Sequence, residues 1–273
     1  MNSNLNPPKL PLKTYTTPPV PGYPHTHTVI FLHGRGDTAQ AFQASFLSGW
    51  KDPLSRSLAQ ICPTIKWIFP TAPIRPLARF PRDRISQWFD TWDINDLSAK
   101  EELQIAGLRE SVEGIRQICQ KEVQENLNGE WGRLVLAGFS QGGAAAAHTL
   151  LNLEGQGGGA GGEMRKLGGL MVFSGRMPFP GRSLDETREV LGLLVQAGGT
   201  SDDGLVVRNT PALVQHCADD SLSKVGNGRA VRDSLERFGA KVTWREYPVG
   251  GHWFHSPNGI EDTAAWLRQF VLQ

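Results

Sequence analysis

Short runs of apolar residues recur along the chain, and each is bounded by polar residues or by glycine and proline. A continuous apolar run of this length is typical of a strand that is buried on both faces of a parallel sheet. From residue 28 onward, such runs predict strands at 28–33, 65–69, 133–139, 167–174, 211–217 and 241–247. Strands of this kind need a helical layer on either side to cover them.

Segments with the helical period lie between several of these runs. The clearest is 97–127, where apolar residues recur near one stripe. The others are 42–58, 142–151, 184–195, 229–238 and 260–272. Strands that alternate with helices are joined by right-handed crossovers, which place helices on both faces of the sheet. The pattern therefore predicts an α/β fold with a mostly parallel central sheet.

A proline-rich arm precedes this regular pattern. Seven of the first 24 residues are prolines, and proline lacks the N–H group that a helix or a strand ladder needs. We therefore expect residues 1–27 to form an extended arm along the surface and residues 28–273 to form a single domain. The glycine-rich stretch 155–162 lacks the preceding strand and the following Gly-Lys-Ser/Thr of a phosphate-binding loop. It predicts a flexible loop insertion at 154–163.

Composition excludes several classes of protein. The chain has 273 residues and a formal net charge of +1, from 28 Lys and Arg against 27 Asp and Glu. This balance argues against a nucleic-acid partner, which requires a basic excess. The three cysteines have no CxxC spacing, so we expect no disulfide scaffold and no structural zinc site. We also expect no other metal and no cofactor. No stretch resembles a secretory signal or a membrane span, so we expect a cytoplasmic location with at most transient membrane contact.

The strongest chemical signal is a serine between two glycines, in the sequence Gly138-Phe139-Ser140-Gln141-Gly142. A predicted strand precedes it and a helix rich in small residues follows it. A serine on such a sharp strand-to-helix turn holds its hydroxyl above the edge of the sheet, and glycine is needed where side chains would meet neighbouring backbone. The context favours a nucleophilic serine over a simple structural turn.

A serine hydroxyl needs a base to accept its proton and an acid to orient that base. Asp219 and Asp220 follow one predicted strand, and His252 follows the next, after Gly250 and Gly251. The carboxyl ends of parallel strands meet at one edge of the sheet, where such a site is built. We favour Asp220 as the acid and His252 as the base, with Asp219 as a turn or capping residue.

Three other histidines compete for the role of base. His255 is an alternative to His252, although it does not follow the glycine pair directly. His148 falls inside the predicted helix after the serine, and His33 falls at the end of the first strand. We interpret both of the latter as structural residues.

An oxyanion is expected to form beside the serine, and backbone N–H groups stabilise it. The N–H of Gln141 lies at the start of the new helix and is one candidate donor. The second donor should come from the glycine-containing turn after the first strand, and we assign it to the N–H of Arg35.

These residues together resemble the acyl-protein thioesterase/carboxylesterase family of α/β-hydrolases. The resemblance extends from about residue 28 to the C-terminus. The stretches that carry it are FLHGRGDT (31–38), IFPTAPIRP (68–76), QWFD (87–90), GFSQGG (138–143), SGRMP (174–178), His216 with Asp220 four residues on, and Tyr247 with His252 five residues on. The resemblance implies the roles already given to Ser140, Asp220, His252, Arg35 and Gln141.

The resemblance also implies an activity. The family hydrolyses acyl thioesters on lipidated proteins, and many members also cleave lysophospholipids or small carboxylic esters. We therefore expect a serine hydrolase that acts on acyl thioesters or carboxylic esters, with lipidated proteins among its possible substrates. A short-chain carboxylesterase or lysophospholipase is the alternative, and a non-catalytic ligand receptor with the same fold is a remote one.

Candidate substrate contacts lie mainly in the stretch 74–92, which borders the acyl channel in the family. It carries four arginines here, among them Arg75, which either meets an anionic head group or is a solvated loop charge. Trp88, Phe89 and Trp92 either line an acyl groove or close the core beneath the loop. Met177, from the SGRMP stretch, is a further candidate contact.

Overall fold

A computed structural model of the chain describes residues 11–153, 166–193 and 204–273. The strands in these ranges are β1 (Thr14–Thr17), β2 (His27–Leu32), β3 (Ile65–Pro70), β4 (Ile74–Pro76), β5 (Arg84–Ser86), β6 (Leu134–Phe139), β7 (Gly169–Phe173), β8 (Ala212–Cys217) and β9 (Val242–Tyr247). Seven of them form one sheet in the order β1-β3-β2-β6-β7-β8-β9, while β4 and β5 form a separate hairpin. Neighbours in the main sheet are parallel except for β1 and β3.

Helices cover both faces of this sheet. The α-helices in the described ranges are α1 (Ala39–Gly49), α2 (Leu58–Ile61), α3 (Gln104–Asn126), α4 (Gln141–Leu151), α5 (Leu184–Leu191), α6 (Leu205–Asn209), α7 (Val225–Arg237) and α8 (Asn258–Phe270). Successive side chains of a strand point to opposite faces, and β2 shows the consequence. Val29 and Phe31 belong to the hydrophobic cluster that includes α1, α2 and α8, whereas Ile30 and Leu32 belong to the cluster that includes α3, α4, α5 and α7. The predicted α/β fold is confirmed.

All six predicted strands are present, and each boundary is within two residues of the expected one. The helix predicted at 42–58 is wrong in its extent, because α1 ends at Gly49 and α2 begins only at Leu58. Pro53 explains the break, since proline has no N–H to donate and disfavours a helical residue before it. The helix predicted from residue 97 begins at Gln104, after a left-handed residue at Lys100.

Part of the proline-rich arm belongs to the sheet. Residues Thr14–Thr17 lie between prolines at 11 and 18 and contain none themselves. They are extended, as expected, and pair antiparallel with β3 at the edge of the sheet. An edge strand of this kind is the position that tolerates flanking prolines best. The predicted insertion 154–163 lies outside the described residues.

Among the helices within 11–153, 166–193 and 204–273, none combines enough length with enough apolar character to cross a bilayer.

Candidate active site

Ser140 lies in the turn between β6 and α4. Its backbone has φ 53° and ψ −121°, a conformation that costs energy for a residue with a side chain. Both flanking glycines are sterically required. A Cβ atom on Gly138 would lie 2.2 Å from backbone atoms of Gly142, and a Cβ on Gly142 would lie 2.4 Å from the carbonyl oxygen of Leu32. The turn therefore holds the serine at the carboxyl edge of the sheet.

His252 lies beside this serine. Its Nε2 is 3.0 Å from the Ser140 Oγ, and its Nδ1 is 2.7 Å from Oδ2 of Asp220. The loop that carries it leaves β9 through Gly250 and Gly251, whose φ angles of 142° and 63° are of the kind that glycine adopts readily. The three groups form a hydrogen-bonded chain from a hydroxyl through an imidazole to a carboxylate, the arrangement that lets a base remove the serine proton.

Asp220 is held as a buried carboxylate. Its Oδ1 accepts the backbone N–H groups of Leu222 and Ser223, at 2.9 and 2.8 Å. Burial alone would raise the pKa of Asp220, but hydrogen bonds from two imidazoles and a backbone N–H outweigh it and hold that pKa well below its usual range. The carboxylate is therefore charged over the whole physiological range of pH.

The second imidazole on Asp220 is that of His216, at the end of β8. Its Nε2 is 3.3 Å from Oδ2 of Asp220 and 2.5 Å from the carbonyl oxygen of Ser223. Two acceptors at Nε2 place the proton on that nitrogen. The sequence marked His216 only as part of a family resemblance, so this contact to the acid was missed. Its position at the carboxyl end of β8 was the signal that could have found it.

Asp219 has a different role from its neighbour. Its two oxygens accept the N–H groups of Gly250 and Gly251, at 3.2 and 2.8 Å. It thus holds the loop that carries His252, and does not itself hydrogen-bond the imidazole.

The three histidines that competed with His252 are engaged elsewhere. His255 stacks on Tyr247 with ring centroids 4.2 Å apart. His148 is buried in α4, where burial lowers its pKa to about 4. His33 contacts the carbonyl oxygen of Gly34 through Nδ1, and its Nε2 accepts the N–H of Ala72.

The contacts of His33 orient the peptide that precedes Arg35. The Gly34 carbonyl points to Nδ1 of His33, at 2.7 Å. In a trans peptide the N–H points the opposite way from the carbonyl, so this contact fixes the direction of the Arg35 N–H. Arg35, Ser140 and Gln141 all line one cavity. The Gln141 N–H, at the first position of α4, has no intrahelical acceptor.

The Gln141 side chain ties this region to the stretch after β5. Its Oε1 accepts the N–H of Trp88, at 2.9 Å, and its Nε2 donates to the carbonyl oxygen of Phe89, at 2.8 Å. Both rings are fully buried, and the Trp88 indole N–H donates to the His33 carbonyl at 2.8 Å. The pair therefore closes the core beneath the loop, which was one of the two alternatives expected from the sequence.

The cavity beside Ser140 has a volume of about 480 Å³. None of the five residues expected to contact substrate lines it. Trp88 and Phe89 belong to the core, as described above. Arg75 is ion-paired with Glu110 at 2.7 Å, and Met177 is buried in the core. The Lys100 ammonium lies 3.4 Å above the Trp92 ring. This placement corrects the expected substrate contacts, because their side chains are already engaged in packing or ion pairs.

Sequence reasoning also missed Arg176, which does line the cavity. It precedes Met177, the residue that was chosen instead. The usable signal was again topological, because residues 174–176 directly follow the carboxyl end of β7, where α/β proteins place their ligand contacts.

Known proteins resemble this chain over most of its length. The sequence profile of the phospholipase/carboxylesterase family matches residues 19–269. An acyl-protein thioesterase 1 of Cryptococcus neoformans var. neoformans serotype D is 29% identical over 251 residues, which are 90% of this chain and 92% of that protein. A protein of Arabidopsis thaliana described as a probable carboxylesterase SOBER1-like is 27% identical over 242 residues, 88% of this chain and 78% of that one.

A solved structure shares the fold. The crystal structure of Zea mays acyl-protein thioesterase 2 superposes with a TM-score of 0.69 at 22% identity, over 95% of this chain and 99% of that chain. At this level of identity the similarity shows the fold alone.

Proposed function

The chain belongs to the phospholipase/carboxylesterase family, and from this premise we propose that it is a serine hydrolase that cleaves acyl thioesters or carboxylic esters through an acyl-enzyme intermediate. The observation that carries the proposal is the hydrogen-bonded chain from Ser140 through His252 to Asp220, with distances of 3.0 and 2.7 Å. Ser140 is the nucleophile, His252 the general base and Asp220 the acid that orients it.

In the first half of the reaction, Nε2 of His252 takes the proton of the Ser140 hydroxyl as Oγ attacks the acyl carbon. The negative charge of Asp220 stabilises the imidazolium that forms. The carbonyl oxygen becomes an oxyanion, which accepts the backbone N–H groups of Arg35 and Gln141. Each such donor contributes about 3 kcal/mol to lowering the barrier. When the C–S or C–O bond breaks, the imidazolium returns its proton to the departing thiolate or alkoxide.

The second half repeats these steps with water. His252 removes a proton from a water molecule, whose oxygen attacks the acyl-serine carbonyl. A second oxyanion forms between the same two donors. Its collapse releases the carboxylic acid and returns the proton to Oγ of Ser140. No group other than the triad and the two N–H donors is needed for this sequence.

The substrate class follows from the relatives named above. The name of the Cryptococcus relative supports acyl thioesters on proteins as substrates, so lipidated proteins are proposed partners. The cytoplasm is the location that we propose for the enzyme. The Arabidopsis relative supports carboxylic esters.

A short-chain carboxylesterase is the second candidate, and one observation favours it. Arg35 and Arg176 line the cavity, and a guanidinium is a poor neighbour for a long acyl chain. Comparing kcat/KM for a palmitoyl-thioester peptide and a butyryl ester separates the two. A tenfold preference corresponds to about 1.4 kcal/mol and decides between them.

The nucleophile is tested by labelling with a fluorophosphonate probe. Ser140→Ala should lose both labelling and ester turnover. Ser174→Ala is the matched control, because Ser174 also lines the cavity, yet no imidazole in the described part of the chain hydrogen-bonds its hydroxyl. The control should still be labelled. Retained labelling of Ser140→Ala would show that another residue is the nucleophile.

A further inference from the structure

Arg176 is a cation whose partners are neutral. Both of its hydrogen bonds leave from Nη2, to Oε1 of Gln104 at 2.8 Å and to Oγ1 of Thr91 at 3.2 Å. The guanidinium carbon lies 5.2 Å from the centroid of the Phe89 ring. Within the described ranges no carboxylate forms an ion pair with this guanidinium, and no acceptor is supplied to its Nε or Nη1. A half-buried charge among neutral partners is unfavourable, so an anionic ligand in the cavity would stabilise it.

The electrostatics agree with this picture. Burial, opposed by Glu101 and assisted by Arg35, lowers the pKa of Arg176 to about 10. Glu101 is itself engaged with Arg182, at 3.6 Å. Arg176 therefore remains charged at neutral pH in a setting that disfavours its charge, and an anion would relieve that cost.

Arg35 supplies a second cation on the same cavity. Its Nε donates to Oε1 of Gln87, at 2.9 Å, and its closest described carboxylate oxygen, on Asp90, is 3.9 Å from Nη2. Asp37 also lines the cavity, but its Oδ1 accepts the N–H of Thr38 at the start of α1, and it is not ion-paired with either arginine in the part of the chain described. The lining of the cavity next to Ser140 thus contains two arginines and one aspartate.

From these contacts we infer that the cavity binds an ester or thioester that carries a second, anionic carboxylate, which Arg176 and Arg35 hold beside Ser140. The inference rests on the proposed hydrolase activity and narrows its substrate class. Guanidinium groups suit this task because they stay charged and donate several N–H groups to a carboxylate. The carboxylate belongs either to the acyl chain or to the leaving group.

Matched substrates distinguish these two sources. For the acyl side, glutaryl and glutaramoyl thioesters of N-acetylcysteamine differ only by carboxylate against carboxamide. For the leaving group, the butyryl esters of 4-hydroxybenzoate and 4-hydroxybenzamide differ in the same way. We expect the carboxylate member of one pair to be preferred at least about tenfold in kcat/KM. Ratios near one in both pairs would overturn the inference.

The role of the cation is tested in Arg176→Gln. For the pair in which the wild type prefers the carboxylate, the ratio of kcat/KM between the carboxylate and the carboxamide substrate should fall to about one in this variant. The control is Arg79→Gln, because Arg79 is paired with Asp93 and lies outside the cavity. It should keep the wild-type ratio. A ratio that survives in Arg176→Gln would refute the assignment.

If Arg176→Gln does not fold, competitive inhibition of the wild-type enzyme replaces it. For the acyl side, glutaramate, which has one carboxylate, should then inhibit at least about tenfold more strongly than the neutral diamide glutaramide; for the leaving group, 4-hydroxybenzoate should inhibit at least about tenfold more strongly than 4-hydroxybenzamide. One of the two differences is expected, and equal inhibition within both pairs would refute the inference. Failure of this inference is distinct from failure of the proposed function. In the first case the neutral esters are still hydrolysed through Ser140. In the second, none of the four substrates is hydrolysed.

Discussion

Replacing Asp220 with asparagine perturbs the triad without changing its shape. In the wild-type protein one carboxylate oxygen accepts two backbone N–H groups, and the other lies 2.7 Å from Nδ1 of His252 and 3.3 Å from Nε2 of His216. An amide has a single oxygen. If that oxygen stays with the two backbone donors, the NH₂ group faces Nδ1, and the imidazole must carry its proton on Nε2. His252 then presents an N–H to Ser140 where a lone pair is required.

The size of the effect follows from two competing penalties. The wrong tautomer of the base costs about 10⁴-fold in rate. Reversing the amide would restore the base, but it would set the NH₂ group against two buried N–H groups, at about 1–3 kcal/mol each. Their sum, about 2–6 kcal/mol, corresponds to a loss of roughly 30-fold to 10⁴-fold. Because the cheaper arrangement prevails, we expect kcat/KM of Asp220→Asn to fall within that range.

Asp219→Asn is the matched control, since it makes the same chemical change one residue away. Asp219 would lose one of its two hydrogen bonds to the Gly250–Gly251 loop. A bond of this kind is worth about 0.5–1.5 kcal/mol, so kcat/KM should fall by at most about tenfold. The assay is steady-state hydrolysis by purified variants, with circular dichroism to verify folding. Equal impairment of the two variants, or an Asp220→Asn variant with over about a tenth of wild-type activity, would refute the reasoning.

The Asp220→Asn variant also leads to a prediction about how stability depends on pH. The folded protein holds the pKa of Asp220 below its ordinary value, which is about 3.9 in an unfolded chain. A depressed pKa adds stability that is present above about pH 4 and lost as the pH falls towards the folded value. The difference in unfolding free energy between wild type and Asp220→Asn should therefore shrink below about pH 4 in urea titrations. A difference that stays constant with pH would contradict the assigned hydrogen bonds.

Two further substitutions test packing around the site and far from it. Gly228→Ala in α7 would bring a methyl group 2.3 Å from Nδ1 of His216, so denaturant unfolding should show a loss of about 1–3 kcal/mol, together with a lower kcat. Gly226→Ala is its control, because a Cβ there meets nothing within 4 Å. This control should leave the free energy of unfolding unchanged or raise it by up to about 1 kcal/mol. An equal loss of stability in both variants would contradict the predicted clash at Gly228. Glu122→Gln removes the negative charge that lies 2.8 Å from the Lys66 ammonium. We expect the free energy of unfolding to fall by about 3 kcal/mol and kcat to stay unchanged. An unaltered free energy of unfolding would argue against that ion pair.

The strands and the strand-to-helix turn at Ser140 could be predicted from local sequence because local rules govern both. An apolar run between two helical segments forms a buried parallel strand at any position in the sheet, because helices cover both faces. Ser140 is constrained within five residues, since the clash of a Cβ on Gly138 is with Gly142. Helix ends were less predictable where one proline, Pro53, outweighed the apolar period. The edge strand β1 escaped prediction because β3, its partner, is some fifty residues away.

The assignment of the acid and of the cavity wall depended on contacts between distant segments. Asp219 and Asp220 follow the same strand, and only the path of the 250–252 loop separates their roles, since one binds its backbone and the other its imidazole. The same holds for Arg176, whose neutral partners lie 72 and 85 residues away in sequence. The spacing of hydrophobic residues in the sequence indicates which face of a helix or strand is buried. Charge pairing and cavity shape arise only when segments far apart in the chain meet.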